Sequence, residues 1–308
     1  MISAHQRYAL QVEGRVPTAR RGEDIMGILE GKVAIVTGAG RGIGRGEALL
    51  LAQEGARVVV NDLGVEFDGE GSDRKIASVV VEEIRKAGGE AVANFESVID
   101  FHGGKNIVDS AIHAFGKLDI LVNNAGFVRD RMIFKMSEEE FDAVVAVHLK
   151  GTFNCGRWAC AYFRERNQGG RIINTTSAAG LAGNVGQTNY AAAKAGIAIM
   201  TLVWSLEMEK YGVTCNAIAP SARTRMTETT FGEFEPESPG AFDFAAPENI
   251  APLVAFLASD DAQHISGRVF GVQGGDIDLY QVWQARKSIS KEGRWTATEL
   301  SKRIQELL

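Results

Sequence analysis

Three residues that can exchange a proton lie within residues 176–196, a stretch otherwise rich in small side chains. Tyr190 follows Ser177 by thirteen positions, and Lys194 follows Tyr190 by four. Residues four apart on a helix share one face, so this spacing would place an ammonium beside a phenol. A nearby cation favours the phenolate, and each unit by which it lowers the tyrosine pKa corresponds to about 1.4 kcal/mol. The spacing therefore predicts an activated tyrosine base, with an exposed helix pair as the alternative.

The elements that must position these residues alternate between short apolar runs and helix-length segments from residue 32 onward. The apolar runs are nearly continuous in Val, Ile, Leu and Ala, as in strands buried on both faces. The seven predicted strands are 32–37, 56–61, 90–95, 118–123, 171–176, 213–219 and 268–272. The predicted helices are 42–55, 73–87, 104–115, 137–165, 188–211 and 248–258. This alternation predicts an α/β fold with a Rossmann-type, doubly wound sheet of seven parallel strands.

The domain organisation follows from where this alternation begins and ends. A single catalytic domain that binds a dinucleotide is expected over 28–275, preceded by a disordered lead-in over 1–27. Within the domain, 224–249 is acidic, aromatic and rich in helix breakers, as a substrate lid would be. The C-terminal extension, 276–308, ends in a capping box followed by an apolar helix face. We expect that helix to dock on its own subunit or on a neighbour.

The composition is ordinary for a globular protein, with 45% hydrophobic and 23% charged residues among 308. The net charge of −6 and the lack of a long basic run argue against nucleic acid as a partner. We expect no membrane span, because no apolar run reaches the roughly 18 residues that a span needs. The first 25 residues are charged and have no apolar centre, so they are not a secretory signal.

The cysteines and histidines form no recognised metal or redox motif. No two of the three cysteines have C-x-x-C spacing, and no two of the five histidines stand at i,i+4. Cys155 and Cys160 would point to different faces of one predicted helix, as small core residues do. We therefore expect free thiols, a cytoplasmic location and no metal.

A glycine cluster, TGAGRGIG, follows the first predicted strand and places Gly38, Gly42 and Gly44 at the start of a helix. Glycines there let backbone N–H groups and the helix N-terminus approach a pyrophosphate. Asp62 ends the second strand, where a carboxylate would accept both ribose hydroxyls of the adenosine half and repel a 2′-phosphate. Arg41 could instead receive that phosphate. The pattern predicts NAD as the cofactor, with NADP as the alternative.

With these residues, the chain resembles the short-chain dehydrogenase/reductase family. TGAGRGIG corresponds to the family's TGxxxGxG, NNAG (123–126) to its fourth-strand motif and YAAAK to its YxxxK. NAIAP (216–220) corresponds to the segment before the loop on the nicotinamide side. Such motifs at the carboxyl ends of strands form the ligand crevice of an open α/β sheet. The resemblance implies cofactor binding by Gly38, Arg41, Gly42, Ile43, Gly44, Asp62, Val98, Asn124, Ala125, Gly126, Tyr190, Lys194 and Pro220.

The resemblance implies reversible hydride transfer between C4 of nicotinamide and a carbinol carbon. Tyr190 would then be the base, Lys194 would also bind the nicotinamide ribose, and Ser177 would donate to the substrate oxygen. The fourth catalytic position is His148, where the family often has an asparagine that helps to carry the proton to water. His148 could hold a relay water, titrate near pH 6.5 or be a core histidine. Val98 and the backbone are expected to contact adenine, because the family's usual acidic residue is missing there.

Within the family, several segments resemble the (3R)-hydroxyacyl-CoA dehydrogenase part of peroxisomal type-2 multifunctional enzymes and actinobacterial relatives of acyl-CoA and steroid side-chain breakdown. The implied function is NAD-dependent oxidation of a 3-hydroxyacyl-CoA to the 3-oxoacyl-CoA, or the reverse. Four arginines could bind the CoA phosphates, unless they are solvated or paired with the acids of the lid: Arg129, Arg131, Arg223 and Arg225. The alternatives are a ketoreductase or hydroxysteroid dehydrogenase without CoA, and a non-catalytic NAD-binding scaffold.

The predicted helix over 188–211 is apolar nearly all round, which one subunit can hardly bury. Members of the family commonly pair two such helices between subunits. We therefore expect a homodimer or a homotetramer.

Overall fold

The computed structural model describes residues 27–64, 73–224, 242–281 and 285–308. The predicted lead-in, apart from Gly27, and most of the predicted lid lie outside the described residues. Arg225, one of the four arginines considered for CoA, lies outside them too.

One sheet organises the described part of the chain. Its strands are β1 Val33–Thr37, β2 Arg57–Asn61, β3 Ala91–Asn94, β4 Ile120–Asn123, β5 Gly170–Thr175, β6 Val213–Pro220, β7 Val269–Gln273 and β8 Asp276–Tyr280. They lie in the order β3-β2-β1-β4-β5-β6-β7-β8, with β1 to β7 parallel to one another and β8 antiparallel to β7. The predicted doubly wound α/β fold is confirmed.

The described sheet has eight strands rather than the seven predicted. The extra strand, β8, follows the pair Gly274–Gly275, and Gly274 has a positive φ of 54°, which glycine adopts without strain. Two glycines between extended runs are a hairpin signal, and they return the chain along β7. The boundary expected at residue 275 therefore falls inside a hairpin.

Helices cover both faces of the sheet. The described α-helices are α1 Gly42–Gln53, α2 Lys75–Lys86, α3 Phe101–Phe115, α4 Glu138–Val145, α5 Gly151–Arg166, α6 Ala178–Ala182, α7 Thr188–Met208, α8 Ala251–Ala258 and α9 Ala297–Arg303. The central strands present apolar side chains to both sides: in β2, Val58 and Val60 join the core under α1 and α2, whereas Val59 joins the core under α3 and α5.

The helix predicted over 137–165 is interrupted. Helix α4 ends at Val145, a π-helical turn spans Ala146–Lys150, and α5 continues from Gly151. Such π turns commonly occur at functional sites, and this one carries His148. The i+3 and i+4 periodicity of a sequence does not reveal a single wide turn, so the interruption was not predicted.

Helix α7 is the longest helix described and lies against β6, α4 and α6. With the short 3₁₀ turn that follows, it is 24 residues long and apolar enough in composition to cross a membrane, a test that core helices of soluble proteins also pass. Its buried side includes Ile197, Thr201 and Trp204. Residues on its other side remain exposed: Ile199, Val203 and Leu206.

At the C-terminus, Thr296 and Glu299 form the predicted capping box at the start of α9. The apolar side chains that follow are not buried, since Leu300 is 36% and Ile304 is 40% exposed. Docking of this helix on a neighbouring surface therefore stays a prediction.

Candidate active site

A cavity of about 580 Å³ opens at the carboxyl ends of the central strands. It lies where the strand order reverses between β1 and β4, the usual ligand crevice of an open α/β sheet. Every residue predicted to bind the cofactor lines this cavity, and so does His148. Several lining residues were not predicted: Leu63, Ile76, Glu96, Phe127, Ala143 and Thr175.

The loop after β1 packs directly on the loop after β4, and glycine makes this approach possible. A Cβ on Gly38 would lie 2.7 Å from Cα of Ala125, and one on Gly44 would lie 2.4 Å from the carbonyl oxygen of Gly38. Asn124 joins the two loops through its Nδ2, which donates to that carbonyl at 3.1 Å. The first residues of α1, Gly42, Ile43 and Gly44, line the cavity at this point, where the N-terminus of a helix favours an anion.

Asp62 is held at the end of β2 by two backbone donors. Its Oδ2 accepts from N of Gly40 at 2.8 Å, and its Oδ1 accepts from N of Gly64 at 2.7 Å. Each carboxylate oxygen has a further lone pair for a ligand hydroxyl. Gly40 was not predicted to matter, yet a Cβ there would lie 2.8 Å from Oδ2 of Asp62 and 2.3 Å from Cγ2 of Ile76.

Val98 is 9% exposed and lines the cavity, as Ile76 and Asp62 do. Its backbone is fixed by Asn154 on α5, whose Nδ2 donates to the carbonyl of Val98 at 2.7 Å and to that of Ile99 at 2.9 Å. Asn154 is fully buried. Nothing in the spacing around Asn154 indicates this contact, because it joins segments more than fifty residues apart.

Tyr190 and Lys194 lie on α7, as their spacing predicts, and Lys194 is buried at the end of β5. Its Nζ donates to the carbonyl of Thr175 at 2.6 Å and lies 5.5 Å from the centroid of the Tyr190 ring. The hydroxyl of Thr176 donates to the carbonyl of Lys194 at 2.6 Å. These two hydrogen bonds fix the helix that carries the phenol against the strand that precedes Ser177.

Ser177 follows β5 and is the N-cap of the short helix α6, where its Oγ accepts from N of Ala179 at 3.1 Å. Helix α6 was not predicted. Ser177 also interacts with Tyr190: burial raises the pKa of the phenol, a side-chain hydrogen bond with Ser177 lowers it, and the charge of Asp130 raises it. The serine and the tyrosine therefore meet, as the thirteen-residue spacing suggested.

The charge states of Tyr190 and Lys194 differ from the expectation that the Lys194 ammonium lowers the pKa of Tyr190. Burial lowers the pKa of Lys194 to about 7 and raises the pKa of Tyr190. Both groups lose hydration, which disfavours the charged form of each. In this structure the phenol is thus neutral at pH 7, and an i,i+4 spacing alone could not reveal that desolvation outweighs the attraction.

His148 packs beneath Tyr190, with the two ring centroids 5.1 Å apart in an edge-to-face arrangement. Its Nε2 lies 2.7 Å from the carbonyl oxygen of Phe127. The imidazole also explains why the NNAG motif needs glycine at position 126, because a Cβ there would lie 2.0 Å from Cε1 of His148. Among the described residues, Nδ1 of His148 has no hydrogen-bond partner.

One of the roles expected for His148 was titration near pH 6.5, and this prediction is wrong. Burial, with the charge of Lys194, lowers the pKa of His148 to about 3. A hydrogen bond at Phe127 opposes this shift but does not outweigh it. The imidazole is therefore neutral throughout the physiological range.

Two of the arginines considered for CoA phosphates form ion pairs within the protein. Arg131 pairs with Glu140 at 3.0 Å, and Arg223 pairs with Asp243. Arg129 lines the cavity. Within the ranges that the structure describes, no group of three His, Cys, Asp or Glu side chains could hold a metal ion.

The chain matches the family described as short chain dehydrogenase over residues 32–233. It is 44% identical over 290 residues to hydroxyacyl-CoA dehydrogenase ChsB1 of Mycobacterium tuberculosis, covering 90% of this chain and 89% of that protein. It is 45% identical over 253 residues to peroxisomal multifunctional enzyme type 2 of Drosophila melanogaster, covering 82% of this chain and 41% of that enzyme. A crystal structure of a short chain dehydrogenase from Mycobacterium avium has a TM-score of 0.82 at 54% identity, covering 91% of this chain and 96% of that one.

The chain therefore belongs to the short-chain dehydrogenase family and is an oxidoreductase acting on CH–OH groups, which confirms the resemblance. It spans less than half the length of the multifunctional enzyme that it matches. Membership implies a nicotinamide cofactor, and the residues present fit one. Gly38 and Gly44 have no side chain to occupy the space at the start of α1, where a pyrophosphate would bind. Asp62 and Tyr190 line the same cavity.

Replacing His148 by asparagine tests the neutral state of the imidazole. Because its pKa is lowered to about 3, the ring changes charge nowhere between about pH 5 and 8. The low-pH limb of kcat for alcohol oxidation should therefore contain the same number of ionisations in the variant and in the wild type. Loss of one ionisation from this limb in the variant would show instead that the ring titrates.

Proposed function

We propose that this protein is an NAD-dependent dehydrogenase that interconverts a 3-hydroxyacyl-CoA and a 3-oxoacyl-CoA. The observation that carries the proposal is the match to a hydroxyacyl-CoA dehydrogenase over 89% of that protein's length, with one cavity joining Asp62 to Tyr190. A bound nicotinamide cofactor supplies the hydride acceptor. The N-terminus of α1 would hold its pyrophosphate, and Asp62 its adenosine ribose.

The remaining chemistry is transfer of one proton. Ser177 would donate to the substrate oxygen and orient the hydroxyl towards Tyr190, which takes the hydroxyl proton in the oxidation direction. Lys194, when charged, favours the phenolate that this transfer requires. The neutral ring of His148 packs on the phenol and restricts its movement.

NAD rather than NADP is favoured by the carboxylate of Asp62, which both Gly40 and Gly64 hold in place. A 2′-phosphate there would meet a fixed negative charge. Arg41 also lines the cavity and is the feature that favours NADP.

Replacing Asp62 by alanine tests this preference. Hydrogen bonds to a charged group contribute about 1.5–3 kcal/mol, so kcat/KM with NAD should fall roughly 10- to 100-fold. The value with NADP should stay the same or rise, because the repulsion is removed. Asp109→Ala, which removes a carboxylate paired with Lys105 on α3, is the matched control and should leave both values unchanged. A wild-type preference for NADP would contradict the assignment.

The substrate is tested by comparing one acyl group on different carriers. With NAD, a 3-hydroxyacyl-CoA should be oxidised with a kcat/KM at least about tenfold above that of the same acyl group on N-acetylcysteamine, since only CoA offers phosphates to cations. Formation of NADH is followed by absorbance. Steroid alcohols and simple secondary alcohols complete the series. Equal rates with and without CoA would show that CoA is not recognised.

A substrate without CoA, as for a ketoreductase or hydroxysteroid dehydrogenase, is the second candidate. It is favoured by the ion pairs of Arg131 and Arg223, which occupy two of the cations considered for CoA phosphates. A non-catalytic scaffold is disfavoured, because Ser177, Tyr190 and Lys194 are all present and close together.

We also propose that the protein is a homodimer or homotetramer of the cytoplasm. Ile199, Val203 and Leu206 line the exposed side of α7 at helical spacing, and Leu206 is 68% exposed. Such a stripe is typical of a helix that pairs with a copy of itself. The free cysteines agree with a reducing compartment.

A further inference from the structure

Asn189, immediately before Tyr190, uses its side-chain amide in three hydrogen bonds. Its Nδ2 donates to the carbonyls of Arg129 and Glu140, each at 3.0 Å. Its Oδ1 accepts from N of Tyr190 at 2.7 Å. The residue is fully buried, so both N–H groups of the amide are used outside α7 while the oxygen is used within it.

Asn189 binds the carbonyls of Arg129 and Glu140, which are the first and last residues of the segment 129–140. We call this segment the substrate-side wall, because Arg129 lines the cavity. The wall runs from the loop after β4 to the first turn of α4. It has a second attachment just before α7: N of Arg131 donates to the carbonyl of Gly186 at 2.8 Å, and Gln187 donates to Oδ2 of Asp130, also at 2.8 Å. Both attachments therefore join the wall to the start of the helix that carries Tyr190.

The position of the wall affects the phenol directly. Arg129, at one end of the wall, lines the cavity together with Tyr190. Asp130, the next residue, is close enough for its charge to raise the pKa of Tyr190. A displaced wall would thus change both the surface that a substrate meets and the electrostatic environment of the base.

We propose that Asn189 is a positioning residue that fixes the substrate-side wall relative to Tyr190, so that an alcohol bound against the wall presents its hydroxyl to the phenol. The inference rests on the proposed role of Tyr190 as the base. Movement of the wall would leave two buried amide donors without acceptors, which is costly. The amide therefore allows essentially one arrangement of the wall and the helix.

Two substitutions distinguish the contribution of the Nδ2 donor group of Asn189 from that of its Oδ1 acceptor. Asn189→Ala removes all three hydrogen bonds. Asn189→Asp keeps an oxygen for N of Tyr190 but sets a carboxylate against two carbonyl oxygens. If the wall must be held, kcat should fall about 10- to 100-fold in both variants, as a displacement of roughly 1 Å can cause. The dissociation constant of NADH should change less than about twofold, because Asp62 and α1 are unaffected.

The pH profile distinguishes positioning from simple stabilisation. In Asn189→Ala, loosening the wall would hydrate the phenol and move the charge of Asp130 away, so the low-pH limb of kcat for oxidation should shift to lower pH. This direction applies to the alanine variant, because aspartate adds a charge of its own beside Tyr190. Asn216→Ala is the control, because Asn216 is also a buried asparagine whose amide binds backbone groups, those of Ile265 and Arg268, and these groups belong neither to the wall nor to α7. Its kcat and profile should equal those of the wild type.

Melting temperatures are measured for every variant, and the nearly isosteric aspartate variant carries the test if the alanine variant is poorly folded. Wild-type kcat and pH profile in a folded Asn189→Asp would overturn the positioning role, because the acceptor alone would then suffice. Failure of the wild type to oxidise any alcohol would count against the proposed function. An active wild type with unaltered Asn189 variants would count against the positioning role alone.

Discussion

The buried hydrogen bond from the Lys194 ammonium to the carbonyl of Thr175 is the constraint on which the site depends. A buried ammonium without an acceptor would be costly, so the middle of α7 must lie against the end of β5. That contact places Tyr190 one turn away from Lys194 and next to Ser177, which leaves the same strand. It also makes Lys194 easy to discharge, because burial lowers its pKa to about 7. One contact therefore sets both the position of Tyr190 and the charge of Lys194.

Glycines let backbone segments approach closely enough to connect Tyr190 to the loop after β1, the proposed site of the cofactor. Gly38 and Gly44 bring the loop after β1 against the loop after β4, and Gly126 in the second loop makes room for the ring of His148. The imidazole in turn packs on Tyr190. A chain of direct contacts thus extends from the N-terminus of α1 to the phenol. A methyl group at Gly126 would press on the imidazole and disturb the site without touching a ligand.

Much of the fold and site could be predicted because the signals are local. Buried strands have continuous apolar runs, and the glycine cluster, the acidic end of β2 and the YxxxK spacing each lie within a few residues. The sequence did not reveal features that depend on distant segments meeting. Asn154 and Asn189 bind carbonyls far away along the chain, and the desolvation of Tyr190 and His148 follows from tertiary packing. The π turn at His148 was missed because one wide turn barely alters the hydrophobic pattern, and strand β8 was missed because its residues are exposed and form no buried apolar run.

In the proposed mechanism, the phenol of Tyr190 takes the hydroxyl proton while the rest of the site binds the cofactor independently of it. Tyr190→Phe tests this role, because it removes the phenolic oxygen and keeps the ring that packs on His148. NADH binding, followed by fluorescence, and oxidation of the best alcohol substrate are measured on the same preparation. We expect wild-type affinity for NADH together with a loss of turnover of about a thousandfold or more. Turnover close to that of the wild type would contradict this role.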